Sequence, residues 1–344
     1  MIKLEIEKMN KRDFLKSFKT LIILIIFSVK FPFLLSSKER PKQTSKVLYN
    51  KIFLNFILSD NHPENPDRIK FILNKLRKKK LDFLIENVEI GKNKELESWV
   101  KKIHSSEHVG EIKKKFKQGH QVAMAAVEIS LKAIDMIMQN NDITKIFCAT
   151  RPPGHHALNT GNHEGFCFYN HIAVLAKYAQ EKYGLKKILI VDWDYHHGNS
   201  TEYFFYKDPN ILFFSTHDVN AYPGTGLPER KGLGNGYNMN INVHLECSSG
   251  DTEIINAFKQ ILMPASKKFR PDLVLISAGF DGKKNDPLGC FNISDSGFKE
   301  LTKIVIEISK KYSEGRLISI LEGGYNLTEN ASAAASHIEV LNNF

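Results

Sequence analysis

The sequence predicts an α/β fold built on a largely parallel sheet with helices on both faces. Three observations carry that expectation. The chain has 344 residues, enough for one large α/β domain. Apolar β-like runs alternate with amphipathic helical stretches, the order that builds parallel sheets. Every polar cluster of note falls just past the carboxyl end of one of those runs, where open α/β sheets build their ligand sites.

The elements follow in chain order. A helix is expected around 66–79, where Ile69, Ile72, Leu73 and Leu76 recur at helical spacing. A second, around 121–138, sets Val122, Ala126, Ile129 and Ala133 on one face. The first clear strand is Ile146–Ala149, short, apolar and closed by Pro152 and Pro153. A helix around 168–183 carries Ile172, Leu175, Ala176 and Ala179. Strands follow at Ile188–Val191 and Ile211–Ser215. A helix around 251–268 and the strand Leu273–Ser277 come next, then a helix around 297–312 and the strand Leu317–Leu321. No internal repeat or low-complexity tract interrupts the series.

Composition excludes several classes. At 42% hydrophobic and 25% charged residues, the chain is neither largely disordered, collagen-like nor a polytopic membrane protein. Its net charge of +10 is concentrated at the start: residues 1–45 hold ten Lys/Arg against four Asp/Glu, leaving +4 for the rest. Without a concentrated Arg stripe and interleaved aromatics, nucleic acid is not expected as a partner. The same 45 residues read as a leader. Lys8, Lys11, Arg12, Lys16 and Lys19 precede the apolar run Leu21–Val29, a secretory-signal layout too short and interrupted for a membrane-spanning helix. Lys11–Lys16 also resembles a twin-arginine export motif with Lys in the first position. Export to the periplasm or anchoring at a membrane is expected, with a cytoplasmic protein as the alternative. The catalytic body is expected over 46–344, after a polar connector at 36–45. Four cysteines without a CxxC pair do not settle the redox compartment.

Five polar motifs end the apolar runs. The first places His155 and His156 on the Pro/Gly-stiffened loop Arg151–Ala157, able to supply a general base and an electrostatic partner. The second is Gly165–Asn170, opening a helix. In the third, Val191–Asn199, period two along a strand end points Asp192, Asp194 and His196 to one side. Two carboxylates and an imidazole on one face suit a first-row divalent metal. The fourth, Ser277–Asp281 continuing to Asp286–Gly289, offers Asp281 as a third ligand, leaving a fourth position open for water. The fifth, Leu321–Asn326, brings Tyr325 to the site edge behind two glycines that permit close backbone approach.

Together these motifs, with Tyr222–Gly226 and His62–Arg68, resemble the zinc-dependent histone deacetylase superfamily. That group includes acetylpolyamine amidohydrolases and acetoin-utilisation proteins. Asn199 and the 222–226 segment are more similar to its class II and bacterial branches. The resemblance implies an arginase/deacetylase-type three-layer α/β/α fold and hydrolysis of an acetyl-lysine-like acyl amide by metal-activated water. It implies zinc on Asp194, His196 and Asp281, and His156 as general base, with His155, oriented by Asp192, as its electrostatic neighbour. Tyr325 would donate to the oxyanion. Phe166 and Tyr222, with Gly165, would flank a channel whose mouth carries Leu288, and Asn199 would lie behind the ligands and bases. A potassium ion would use Asp192, Asp194, His196, Ser215 and Thr216.

Two departures stand out. Where the family often places an acidic rim residue, Lys113, Lys114, Lys115 and Lys117 occur, which predicts a neutral or anionic acylated substrate if that segment reaches the pocket. Ser200 occupies a position where glycine is expected. The alternatives are an acetylpolyamine amidohydrolase, a silent binding module on the same fold, and an arginase-like di-metal hydrolase, for which only one metal's ligands are legible.

Overall fold

The computed structural model describes residues 44–140 and 142–344. Eight strands form one sheet in the order β2-β1-β3-β8-β7-β4-β5-β6, and every pairing is parallel. They are β1 (Thr44–Tyr49), β2 (Ile85–Asn87), β3 (Ile143–Cys148), β4 (Ile188–Asp192), β5 (Ile211–His217), β6 (Asn240–His244), β7 (Leu273–Ala278) and β8 (Leu317–Leu321). Every residue of β4, β5, β7 and β8 is buried, as expected of strands covered on both faces.

Two groups of helices cover the sheet. In one, α1 (Asp67–Lys78), α9 (Asp295–Tyr312) and α10 (Leu327–Asn343) pack on one another. The other includes α2 (Leu96–Val100), α3 (Ser106–Lys115), α4 (Lys117–Gln139), α5 (His171–Tyr183) and α6 (Asn199–Phe205). Among the described residues, no helix is long and apolar enough to cross a membrane. Residues 1–43 of the expected leader and connector, 1–45, lie outside the described residues.

All five expected strands and all five expected helices are present, with shifted ends. Three strands escaped the sequence reading. β1 runs through Ser45, which the expected connector included; only Val47 and Leu48 give it an apolar signal. β2 has three residues, and β6 alternates Asn and His with Ile and Val at the sheet edge. The expected helix at 251–268 is α7 (Asp251–Ala257) and α8 (Met263–Phe269) joined by a π-turn at Phe258–Leu262. Pro264 has no N–H to donate four residues back and would crowd that carbonyl, so the widened turn accommodates it. α5 begins at His171 rather than 168 because the Asn170 side chain caps Ala173 N–H.

The core holds buried neutral histidines. His337 is fully buried between Thr302 Oγ1, 2.7 Å from Nδ1, and Ser319 Oγ, 2.9 Å from Nε2. Burial depresses its pKa to about 3. Burial likewise lowers His104 and His217 to about 3, and His171 to about 4. Each ring protonates near 6.5 in the unfolded chain, so between that value and the folded pKa the unfolded state binds more protons. Their contribution is complete above about pH 6.5 and is lost as pH falls through it. Relative to His337→Gln, the wild-type chain is expected to lose about 1 kcal/mol per pH unit below 6.5. Urea midpoints from pH 7.5 to 5 check this; parallel stability curves would exclude a neutral His337.

Candidate active site

The site lies at the carboxyl ends of β3, β8, β7 and β4, the four neighbours at the centre of the sheet. β4 delivers Asp192 and stops. Asp192 Oδ1 accepts the N–H of Asp194 at 3.1 Å, and Asp194 Oδ1 accepts that of His196 at 2.9 Å. These side-chain-to-backbone bonds curl the chain out of the strand. The expected period-two alignment therefore does not extend past Asp192, which turns toward His155 instead. Asp194 and His196 still converge, now with Asp281 from beyond β7.

The donor atoms of Asp194, His196 and Asp281 lie within 4.8 Å of one another. His196 Nδ1 is 3.1 Å from Asp194 Oδ1 and 3.0 Å from Asp281 Oδ2. Both carboxylates are completely buried. Burial, reinforced by the neighbouring Asp194 charge, pushes Asp281 up to about 7. Burial opposes a charge on His196, but the two carboxylates outweigh it and raise the ring to about 10. The backbone is shaped around the trio: a Cβ on Gly323 would lie 2.1 Å from Asp281 Oδ2 and 2.6 Å from Asp194 Oδ2. Gly323 N–H instead donates to Asp194 Oδ2 at 2.8 Å. Two buried carboxylates and one imidazole, with a backbone cut away to admit them, fit a divalent cation.

The loop after β3 carries the two histidines. Glu322 Oε2 pins it, accepting N–H from Gly154 at 2.6 Å and from His155 at 3.2 Å. His155 Nδ1 is 2.9 Å from Asp192 Oδ2. Burial works against a proton on His155, but Asp192, Asp194 and Glu322 raise its pKa well above 6.5. His156 is held the other way. Burial lowers its pKa, and the adjacent His155 and His196 lower it further. Its Nδ1 donates to Asn199 Oδ1 at 2.7 Å, which leaves Nε2 as an acceptor. The two adjacent rings are thus pushed in opposite directions, His155 toward holding a proton and His156 toward releasing it.

These groups close one end of a cleft of about 450 Å³. Gly165, Phe166, Tyr222 and Leu288 line it with His156, His196 and Tyr325, and so do Tyr195 and Ala221, which the sequence reading did not single out. Gly165 and Phe166 both have positive φ, +51° and +67°. For an aromatic residue that conformation is strained, and here it forms one wall of the cleft. The Phe166 ring stands edge-on to His62, with centroids 4.5 Å apart, and to Tyr325 at 5.8 Å. Tyr222 stands edge-on to His156 at 5.0 Å. Burial raises the Tyr325 phenol well above 10, so it keeps its proton.

The histone deacetylase domain profile matches residues 62–341. The chain belongs to the histone deacetylase family. A probable deacetylase of Archaeoglobus fulgidus is 30% identical over 82% of this chain and 81% of that protein. Histone deacetylase 6 of Caenorhabditis elegans is 36% identical over 83% of this chain but only 32% of its own length. A chloroplastic histone deacetylase 10 of Oryza sativa is 43% identical over 55% of this chain and 42% of its own. The chain thus spans less than half the length of these two larger relatives. The crystal structure of an HDA15 HD domain superposes with a TM-score of 0.78 and 32% identity, over 87% of this chain and 88% of that one.

The expectation of a basic pocket rim changes. The lysines at 113–117 belong to the end of α3 and the start of α4, bent at Phe116, rather than to a rim loop. Lys113 faces Glu97, Lys115 pairs with Glu111 and donates to Gly161 O, and none of the four lines the cleft. The expected repulsion of polycations loses its basis. Cys247 and Cys290, for which no pairing was expected or excluded, form a disulfide. It ties the turn after β6 to the loop carrying Leu288, and a separation of 43 residues gave no signal for it.

Several supporting residues carried no role in the sequence reading. Ser200 is now explained: its hydroxyl donates to His155 O at 2.8 Å and accepts from Asn170 Nδ2 at 2.6 Å. It anchors α6 beneath the histidine loop. Arg68 donates to Gly324 O at 2.7 Å and to Glu322 O, and its guanidinium lies 4.9 Å from the Tyr325 ring centroid. Arg151 grips Glu64 through two bonds of 2.7 Å. Arg68 and Glu64 stand four residues apart in the 62–68 motif, the one sequence signal that marked them.

Proposed function

We propose that this chain is a zinc-dependent deacylase that hydrolyses an acetyl-lysine-like acyl amide. The observation that carries the reading is the convergence of Asp194, His196 and Asp281 beside an unprotonated His156 at one end of a largely apolar cleft. Zinc bound there supplies a water of lowered pKa and polarises the acyl oxygen. The other steps belong to side chains. His156 Nε2 accepts the proton of the attacking water and returns it to the departing amine, without which an amide has a poor leaving group. His155, held as a cation by Asp192, keeps the neighbouring ring free of its own proton. The Tyr325 hydroxyl donates to the developing oxyanion. Phe166 and Tyr222 flank the acyl chain, and Leu288 meets it at the mouth. Asp192, Asp194, His196, Ser215 and Thr216 support a potassium site; Ser215 pairs with Asp192 across β4 and β5, and the buried Thr216 hydroxyl has no hydrogen-bond partner.

Among the described residues, the cleft lining includes no carboxylate to meet a second ammonium, which favours an acyl-lysine over an acetylpolyamine. The leader supports export or membrane anchoring, which cell fractionation tests. Metal analysis and a fluorogenic acetyl-lysine amide test the activity. The full chain is expected to hold one zinc and to lose turnover on chelation. Zinc without turnover on any acyl amide would favour a silent module, and faster cleavage of acetylputrescine would favour the polyamine reading.

A further inference from the structure

Asp286 is a nearly buried carboxylate that neither the cation-binding trio nor the histidine pair uses. Its oxygens are engaged by the backbone of two separate segments. Oδ1 accepts the N–H of Leu288 at 2.9 Å. Oδ2 accepts those of Tyr325 at 2.6 Å and Asn326 at 2.9 Å. Leu288, which is exposed, and Tyr325, which is buried, both line the cleft. The two segments lie on different loops, one after β7 and one after β8. A charged acceptor makes stronger bonds to N–H than a neutral one, and the bond to Tyr325 is buried while the other two are partly so.

From this geometry we infer that Asp286 is a positioning residue that binds the Leu288 wall and the Tyr325 backbone into one unit. The side chain touching the acyl chain and the hydroxyl meeting the acyl oxygen then keep a fixed separation. The inference rests on the role proposed above for Tyr325. It also assigns a use to the acidic residue of the 286–289 motif, which had none. Asparagine has nearly the same shape but one accepting oxygen, so Asp286→Asn must lose either the Leu288 bond or the Tyr325 and Asn326 bonds.

The test is a double-mutant cycle on the zinc-loaded full chain: wild type, Asp286→Asn, Tyr325→Phe and the pair. Each is assayed for kcat and KM on an acetyl-lysine anilide, for acetohydroxamate affinity by calorimetry, and for zinc content and melting temperature. Asp286→Asn is expected to lower kcat about 10- to 100-fold with KM changed less than about 3-fold, since small displacements of a reacting group have effects of that order. In the Tyr325→Phe background the same change is expected to cost less than about 3-fold in kcat, because its effect passes through the absent hydroxyl. Acetohydroxamate affinity is expected to weaken in the same non-additive pattern. Equal factors in both backgrounds would assign Asp286 a merely structural role and overturn the inference, as would an unchanged kcat. If Asp286→Asn does not fold, Asp286→Ser, which keeps one accepting oxygen on a shorter arm, enters the same cycle. Retention of turnover by Tyr325→Phe alone would instead sink the oxyanion reading, a separate outcome.

Discussion

Replacing His156 with alanine is expected to reduce turnover by about 10²–10⁴-fold, the range supplied by a positioned general base. The expectation follows from the direction in which the ring is held. Burial and the adjacent His155 and His196 rings keep His156 unprotonated, and Asn199 fixes the tautomer through Nδ1. A neutral amide acceptor stabilises an imidazolium less than a carboxylate would, so Nε2 remains free to take a proton. Alanine removes that acceptor without touching Asp194, His196 or Asp281, so zinc content is expected to stay at one per chain. Single-turnover kinetics with parallel metal analysis check both halves. Loss of zinc along with turnover would move His156 from proton transfer to metal retention.

Tyr325→Phe is expected to lower kcat by about 10²–10³-fold, the usual loss when one oxyanion donor is removed. Only the hydroxyl goes; the ring's contacts with Phe166 and the Arg68 guanidinium remain available to phenylalanine. Stability is therefore expected to change little, and KM less than kcat, because the bond strengthens as charge develops on the acyl oxygen. Stopped assays at saturating substrate, with a thermal melt of the variant, measure this. A variant with near-wild-type kcat would remove the phenol from the chemistry.

Most strands at the centre of the sheet were legible because they are buried on both faces, so β4, β5, β7 and β8 are almost unbroken apolar runs. The motifs ending them could be placed at one edge for the same reason. β1, β2 and β6 lie toward the margins of the sheet, where Lys, Asn and His interrupt the pattern, and they could not be read from it. Within the site, the types of Asp194, His196 and Asp281 announced a cation, but the curl after Asp192 did not follow from strand periodicity. The lysines of 113–117 misled because a missing carboxylate was read as a rim feature, when helix α3 directs Lys113 toward Glu97 and Lys115 toward Glu111. Arg68, Ser200 and Asp286 act on backbone atoms far away in sequence, and no local pattern encodes such partners.

The position of β8 bears on how the protein is made. It lies between β3 and β7, so the blocks β2-β1-β3 and β7-β4-β5-β6 share no edge until residues 317–321 join them. A ribosome releases the chain from its amino end, and each block must wait with an apolar strand edge open for as long as β8 remains unmade. Chains halted before residue 317 are expected to aggregate through the β3 and β7 edges rather than persist as soluble half-proteins.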